Sequence, residues 1–279
     1  MRKLHLKPRL NSGLMHSVYP ANLQSRCPGW SYVGFEVHRL MAGESLGQVT
    51  QEREHLLVVL AGTMKAKAGG EVFDKVGGRK DIFTGEKAHA LYIPGESSWS
   101  IEALEPLEVA VCSAPYKGGA HDVRHIAPDN TPIELRGKGL NSRKVNAIMM
   151  EERAWADSLL VTEVWTPGGH SSSYPSHKHD TDDYPNETYL EETYYHRINP
   201  GTGFGFQRVY DRLSLNETMA VYDRDLILVP RGYHPCAALY GHDMYYLNVM
   251  AGPLRKWRFT NDPDHDWLYQ RDMKKEEKK

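Results

Sequence analysis

Along the whole chain, short apolar runs rich in β-branched and aromatic residues alternate with clusters of Gly, Pro, Asn and Asp. That texture predicts strands and turns rather than helices. In the first half it predicts strands over Val33–Leu40, Leu56–Leu60, Thr63–Ala68, Leu91–Ile93 and Glu108–Ser113. In the second half the corresponding runs are Leu159–Thr166, Glu192–Ile198, Gly205–Tyr210, Leu226–Val229 and Met244–Met250. Only Glu151–Ser158 has the make-up of a helix, and a short one. Many short strands with regular turns predict a mostly β chain, folded as a sandwich or a barrel.

The two halves repeat one another in spacing. His55-Leu-Leu-Val-Val-Leu, Leu91-Tyr-Ile-Pro94-Gly95 and Val111-Cys-Ser-Ala-Pro115 follow one another in the first half. Glu192-Thr-Tyr-Tyr, Leu228-Val-Pro230-Arg-Gly232 and Val249-Met-Ala-Gly-Pro253 do so in the second. His55 to Pro94 is 39 residues and Glu192 to Pro230 is 38; Pro94 to Pro115 is 21 and Pro230 to Pro253 is 23. Two consecutive matches predict a duplicated β domain, residues 1–130 and 131–279. The stretch from about Pro115 to Val145, rich in Gly, Pro and polar residues, reads as the connection.

Composition narrows the function classes. With 40% hydrophobic and 25% charged residues in 279, a packed core is available and a disordered chain is excluded. A net charge of −2 gives no basic excess for nucleic acid or a membrane surface. The dense charge run from Lys274 to Lys279 reads as a solvated tail. Three cysteines without CxxC spacing make neither a disulfide framework nor a thiolate zinc site. The opening MRKLHLKPRL has no apolar run of the kind a signal peptide carries, and no stretch approaches a spanning helix. A cytoplasmic location is the expectation.

Chemistry concentrates in the second half. In Ser176-His177-Lys178-His179-Asp180, a strand would turn His177 and His179 to one face and Lys178 to the other. Two adjacent imidazoles suit two positions of a divalent transition metal. Glu191-Glu192 then opens a strand and offers a carboxylate from one residue or the other. Leu226-Ile-Leu-Val-Pro230-Arg-Gly232-Tyr-His234 is a buried strand, a Pro-x-Gly turn and a third histidine. HxH, Glu and PxGxH in that order predict a three-histidine, one-carboxylate metal site with open positions. In the first half His55 stands where Glu192 does, and nothing like HxH precedes it. That half is expected to be a scaffold or an oligomerisation surface, and the chain a homo-oligomer.

The ordered set resembles the two cupin motifs, and a tandem pair of such double-stranded β-helix barrels is a bicupin. The resemblance selects Glu192 over Glu191, because the cupin glutamate immediately precedes a hydrophobic-Tyr-Tyr strand. Here Asp180 to Glu191 intervene where only a few residues usually stand. A closer resemblance spans nearly the whole chain. Ser172-Ser-Tyr174-Pro-Ser-His177-Lys-His179-Asp180, Leu190-Glu-Glu192-Thr-Tyr-Tyr195, Gly205-Phe-Gln207-Arg208-Val-Tyr210, Val229-Pro-Arg-Gly-Tyr233-His234-Pro235 and Tyr245-Tyr-Leu-Asn248-Val-Met-Ala-Gly-Pro253 are similar to the 5-deoxy-glucuronate isomerases of inositol catabolism. Gly169-His170-Ser171 stands where that family usually has Gly-Asn-Trp.

The resemblance implies an intramolecular oxidoreductase that converts 5-deoxy-D-glucuronate to 5-dehydro-2-deoxy-D-gluconate. It implies a zinc, manganese or iron ion on His177, His179, Glu192 and His234. Proton transfer is expected from tyrosines on the metal-facing strands, Tyr194 and Tyr246 first, with His196 on the same strand face as Glu192. A sugar acid needs a cationic partner for its carboxylate, for which Arg143, Arg208 and the neighbouring Gln207 are the candidates. Strand alternation allows only one of Gln207 and Arg208 to face the pocket. The competing readings are a uronate ketol-isomerase of pectin degradation, an iron dioxygenase and a non-enzymatic sugar-binding cupin.

Overall fold

The structure is a computed structural model and describes residues 4–9, 13–119 and 121–274. It is built from antiparallel strands, with two α-helices among the described residues, Pro20–Leu23 and Asp266–Lys274. All ten strands expected from the sequence are present, most of them extended by a residue or more at one or both ends. Beyond Lys274, the expected solvated tail lies outside the described residues.

Each half pairs a large sheet with a four-stranded one. In the first half, six strands run in the order Arg124–Ile126, Ala90–Ile93, Arg53–Ala61, Leu107–Pro115, Gly34–Leu40, Leu14–Val18. In the second, seven strands run His5–Leu6, Leu226–Val229, Glu191–Asn199, Asp243–Ala251, Leu160–Thr166, Arg143–Met149, Ile133–Arg136. The repeat seen in the spacing is therefore also a repeat in sheet order. Arg53–Ala61 lies between the Pro94 and Pro115 strands, and Glu191–Asn199 lies between the Pro230 and Pro253 strands. The place that Arg124–Ile126 fills in the first sheet is filled in the second by His5–Leu6, from the start of the chain. Asp225 fixes that strand, accepting from Lys7 at 2.7 Å and pairing with His5 Nε2 at 2.6 Å. Ile133–Arg136 and the start of Arg143–Met149 fall within the stretch read as the connection.

The large sheets are buried on both faces, which explains apolar blocks instead of alternation. On Arg53–Ala61, Leu57 and Val59 fill the first barrel with Leu91, Ile101, Val109 and Val111. Leu56, Val58 and Leu60 face the other way, into a core shared with Tyr195, Leu226, Leu228 and Val249 of the second half. Buried polar ties cross the same junction. Glu163 accepts from Arg79, the Ala88 N–H, Asn146 and Tyr245; Glu108 accepts from Tyr195, Arg197 and Arg224.

Glu151–Ser158, expected as a helix, is a run of turns. Its backbone is claimed from outside. Glu54 accepts the N–H groups of Asp157, Ser158 and Leu159, and Arg255 donates to the carbonyls of Met150, Arg153 and Leu159. Groups held that way cannot close a helical i to i+4 ladder.

Candidate metal centre and its cavity

At the mouth of the second barrel the three histidines converge. The ligand atoms of His177, His179 and His234 all lie within 4.8 Å of one another. His177 and Lys178 form a two-residue strand against Thr260–Asn261, so His177 and His179 face inward. Lys178 turns away to Asp180 at 2.6 Å and Glu187 at 2.9 Å. The ring nitrogens away from the site bond backbone carbonyls: His179 Nδ1–H to Leu190 at 3.2 Å and His234 Nδ1–H to Gly232 at 2.8 Å. These bonds fix the tautomers and leave the Nε2 lone pairs pointing inward.

His234 owes its place to the Pro230-Arg231-Gly232 turn. Gly232 has φ +84, and a Cβ there would meet the Tyr210 carbonyl oxygen at 2.4 Å. Asp180 accepts the Gly232 N–H at 2.7 Å, tying the HxH segment to that turn. The long interval before the glutamate folds back on itself. Glu187 accepts the Asp180 and Thr181 N–H groups, and the Leu190 N–H donates to the His179 carbonyl at 2.9 Å. The inserted residues thus close a loop and return the chain beside His179.

The two glutamates then separate by strand alternation. Glu192 faces the lumen, with Oε2 3.0 Å from His234 Nε2 and 3.3 Å from His179 Nε2, and with Oε1 accepting from Asn248. Glu191 faces outward and accepts the N–H groups of Ser31, Tyr32 and Val33 at 2.5, 2.7 and 2.8 Å. Burial opposes the Glu192 charge, but the facing imidazoles of His234 and His179 outweigh it and hold the carboxyl down to about 2. Burial pushes His177 and His234 below the ordinary histidine value, which keeps their lone pairs available. His179 Nε2, His234 Nε2 and Glu192 Oε2 are buried without a hydrogen-bond partner. Three convergent donor atoms left unsatisfied in the interior fit a divalent cation, which would satisfy all three.

A cavity of about 460 Å³ opens beside these residues. Of the residues expected to act, Arg143, His177, Glu192, Tyr194 and Tyr246 line it, joined by Thr162, Asn248, Trp257 and Phe259. Arg143 donates to the carbonyls of Asn141 at 3.0 Å and Tyr174 at 3.3 Å, and no carboxylate pairs with it among the described residues. Tyr194 and Tyr246 stand 4.8 Å apart, ring to ring. The Tyr194 hydroxyl meets Ser173 Oγ at 2.9 Å and the Tyr246 hydroxyl meets Ser172 Oγ at 2.8 Å. Burial pushes both phenols above their ordinary value.

Other expected residues stand elsewhere. His196 lies behind Tyr194, stacked on it at 5.9 Å, and burial pushes its imidazole down to about 4. Gln207 is fully buried, accepts from His196 Nε2 at 2.8 Å and is within 3.5 Å of the His234 carbonyl, so it braces the site from outside the cavity. Arg208 is on the opposite strand face, 3.9 Å over the Tyr210 ring and bonded to Asn216. His170, at the Gly-His-Ser departure, bonds the Ser142 carbonyl at 2.8 Å, next to Arg143. Trp257 and Phe259 carried no sequence signal beyond a short aromatic alternation after Pro253. Ser172 and Ser173 were present only inside the family-like string.

Two antiparallel barrels in tandem, one filled with apolar side chains and one holding three imidazoles and a carboxylate at its mouth, define a bicupin with a single metal-type centre among the described residues. The chain belongs to the KduI/IolB family, whose model matches residues 7–268. It is 50% identical over 241 residues to the 5-deoxy-glucuronate isomerase of Geobacillus kaustophilus, covering 86% of this chain and 87% of that one. It is 40% identical over 277 residues to the enzyme of the same name from Bacillus licheniformis, covering 97% and 100%. The crystal structure of an IolB-like protein from Salmonella typhimurium superposes with a TM-score of 0.91 at 48% identity, covering 96% and 99%. An oxalate decarboxylase from Bacillus subtilis shares the fold alone, with a TM-score of 0.64 at 12% identity over 94% of this chain and 80% of that one.

Proposed function

We propose that this chain is a metal-dependent isomerase that converts 5-deoxy-D-glucuronate to 5-dehydro-2-deoxy-D-gluconate. The observation that carries the reading is one cavity lined by His177 and Glu192 of the convergent set of three imidazoles and a carboxylate, together with the half-buried Arg143 guanidinium, which no carboxylate pairs among the described residues. A hydroxy-aldehyde with a carboxylate at its far end needs both. The names carried by relatives at 40–50% identity over most of the chain support the same substrate. His177, His179, Glu192 and His234 would hold a zinc, manganese or iron ion. Such an ion supplies Lewis acidity at the carbonyl and neighbouring hydroxyl oxygens. In the net reaction the hydrogen on C2 moves to C1 and the hydroxyl proton on O2 moves to O1.

The chain's own groups account for the rest. Arg143 receives the substrate carboxylate, where its planar fork replaces a lost hydration shell. Asn248 donates to Glu192 Oε1 and leaves Oε2 turned toward the histidines. The Tyr194 and Tyr246 hydroxyls are placed to give or receive the oxygen-borne proton, with phenols kept protonated by burial. Trp257 and Phe259 wall the cavity beside His177. Residues 1–130, apart from the His5–Leu6 strand, would serve as a barrel with no metal-type cluster among its described residues, and there Trp99 donates to His55 at the position equivalent to Glu192.

Metal analysis of wild type and His177→Ala, followed by turnover of 5-deoxy-glucuronate, tests the reading. Near-stoichiometric metal with turnover in wild type, both lost in the variant, is the expected result. Metal without turnover would remove the substrate assignment and leave the centre standing.

A further inference from the structure

Ser172 and Ser173 are consecutive, yet both hydroxyls meet phenols on the same cavity wall. In an extended strand, successive side chains point to opposite faces. The exception arises because Ser173 takes φ +51, a left-handed conformation uncommon outside glycine. Strained backbone of this kind persists only where its surroundings over-determine it. Here they do. Ser171–Ser172 pairs with Cys236–Ala237 on one side, and the Tyr174 carbonyl accepts from both Asn141 and Arg143 on the other. Ser172 and Ser173 are buried.

A tyrosine bonded to a serine has two arrangements. If the phenol donates to the serine, only oxygen lone pairs face the cavity. If the serine donates to the phenol, the phenolic O–H is free to point at a substrate oxygen. We propose that Ser173 and Ser172 are positioning residues that donate to the Tyr194 and Tyr246 oxygens and so present both phenols to the substrate as proton donors. This rests on the isomerase reading above and adds to it a part for two side chains whose hydroxyls bond the phenols, not the proposed metal ligands or Arg143. The turn also links the donor pair to Arg143 through Tyr174, so that carboxylate binding and phenol placement share one rigid segment.

Double-mutant cycles on the full chain test the proposal. Ser173→Ala is expected to lower kcat roughly tenfold with KM changed less than about twofold, and to retain metal. The same change made in Tyr194→Phe is expected to have no further effect, whereas in Tyr246→Phe it keeps its full effect. Ser172→Ala should couple to Tyr246 and not to Tyr194. Ser173→Gly separates the hydroxyl from the backbone, since glycine adopts positive φ freely; it should lose kcat as the alanine variant does. A Ser173→Gly variant with wild-type kcat, or equal losses in the Tyr194→Phe and wild-type backgrounds, would overturn the serine roles while an active wild type leaves the isomerase reading intact. An inactive wild type carrying metal overturns that reading, and the serine roles with it.

Discussion

Arg143 is a half-buried cation whose described hydrogen bonds go only to two carbonyl oxygens. Burial disfavours its charge, so a carboxylate entering the cavity recovers interaction energy that the free protein lacks. Arg143→Ala is expected to raise KM for the sugar acid tenfold or more, with metal content unchanged; steady-state kinetics beside metal analysis reads both. Arg143→Lys should restore little, because a point charge cannot reproduce a fork. His55 makes a different residue-scale prediction. Its Nδ1 accepts from Trp99 at 3.1 Å, and burial, with Arg53 nearby, pushes it down to about 4. Above the unfolded value of 6.5 the two states bind the same protons and His55 contributes no pH dependence. As pH falls from 6.5 toward 4 the unfolded chain takes a proton the folded one refuses, and stability drops by up to about 3 kcal/mol. Urea midpoints from about pH 7 to 4 should therefore fall less steeply for His55→Gln than for wild type; parallel curves would show that His55 does not carry this term. The convergence of His177, His179, His234 and Glu192 was legible in the sequence because HxH, Glu and PxGxH follow from strand periodicity and a turn. The serines were not, because their shared face depends on one left-handed residue that no periodicity announces. Arg208 was legible only as one of two alternating neighbours, and the strand turned Gln207 inward instead.

At the scale of elements, the duplication reappears as a matched pair of carboxylates. Glu54 and Glu191 each immediately precede the lumen-facing residue of equivalent strands, His55 and Glu192. Each accepts three successive N–H groups from the other half, at residues 157–159 for Glu54 and 31–33 for Glu191. Removing Glu54 strands the buried N–H groups of Ser158 and Leu159 and the half-buried one of Asp157, at about 1–3 kcal/mol for each buried group left unpaired, whereas of the three that Glu191 holds only Val33 is buried. Glu54→Ala is thus expected to destabilise the fold by several kcal/mol, and Glu54→Gln, which keeps one oxygen, by less. Denaturant titration distinguishes them, and an alanine variant as stable as wild type would show that water replaces the carboxylate without cost. The same contacts explain what the sequence misread. Glu151–Ser158 carries helix-forming residues, but Glu54 and Arg255, distant in sequence, take its backbone groups. Strands survived this kind of override because their apolar blocks are demanded on two faces at once. The pairing of His5–Leu6 with Leu226–Val229 was illegible for the opposite reason: two residues hold no period, and the partner is more than two hundred positions away.

For the whole molecule, the largest apolar cluster among the described residues spans both halves. It runs from Leu4, Phe35, Leu56 and Val58 to Tyr195, Leu226, Leu228 and Val249, so each large sheet buries one face only because the other half is present. Separated barrels would expose that face, at roughly 25 cal/mol for each Å² of apolar surface. They would also strand Glu163 without Arg79 and Glu108 without Arg197, leaving buried charges unpaired. The two halves should consequently unfold as one cooperative unit despite their separate lumens. Metal bound at the centre proposed in the second barrel would then stabilise the first as well. Free metal a thousandfold above Kd adds about 4 kcal/mol to the folded state, and a chelator should lower the single transition by several degrees. Calorimetry with and without chelator, followed in parallel by fluorescence of Trp99 in a variant lacking the other tryptophans, checks this. Trp99 reports the first barrel, far in sequence from the ligands, yet its transition should shift with the metal. Two resolved transitions, with only one sensitive to chelator, would mean that the shared core does not couple the barrels.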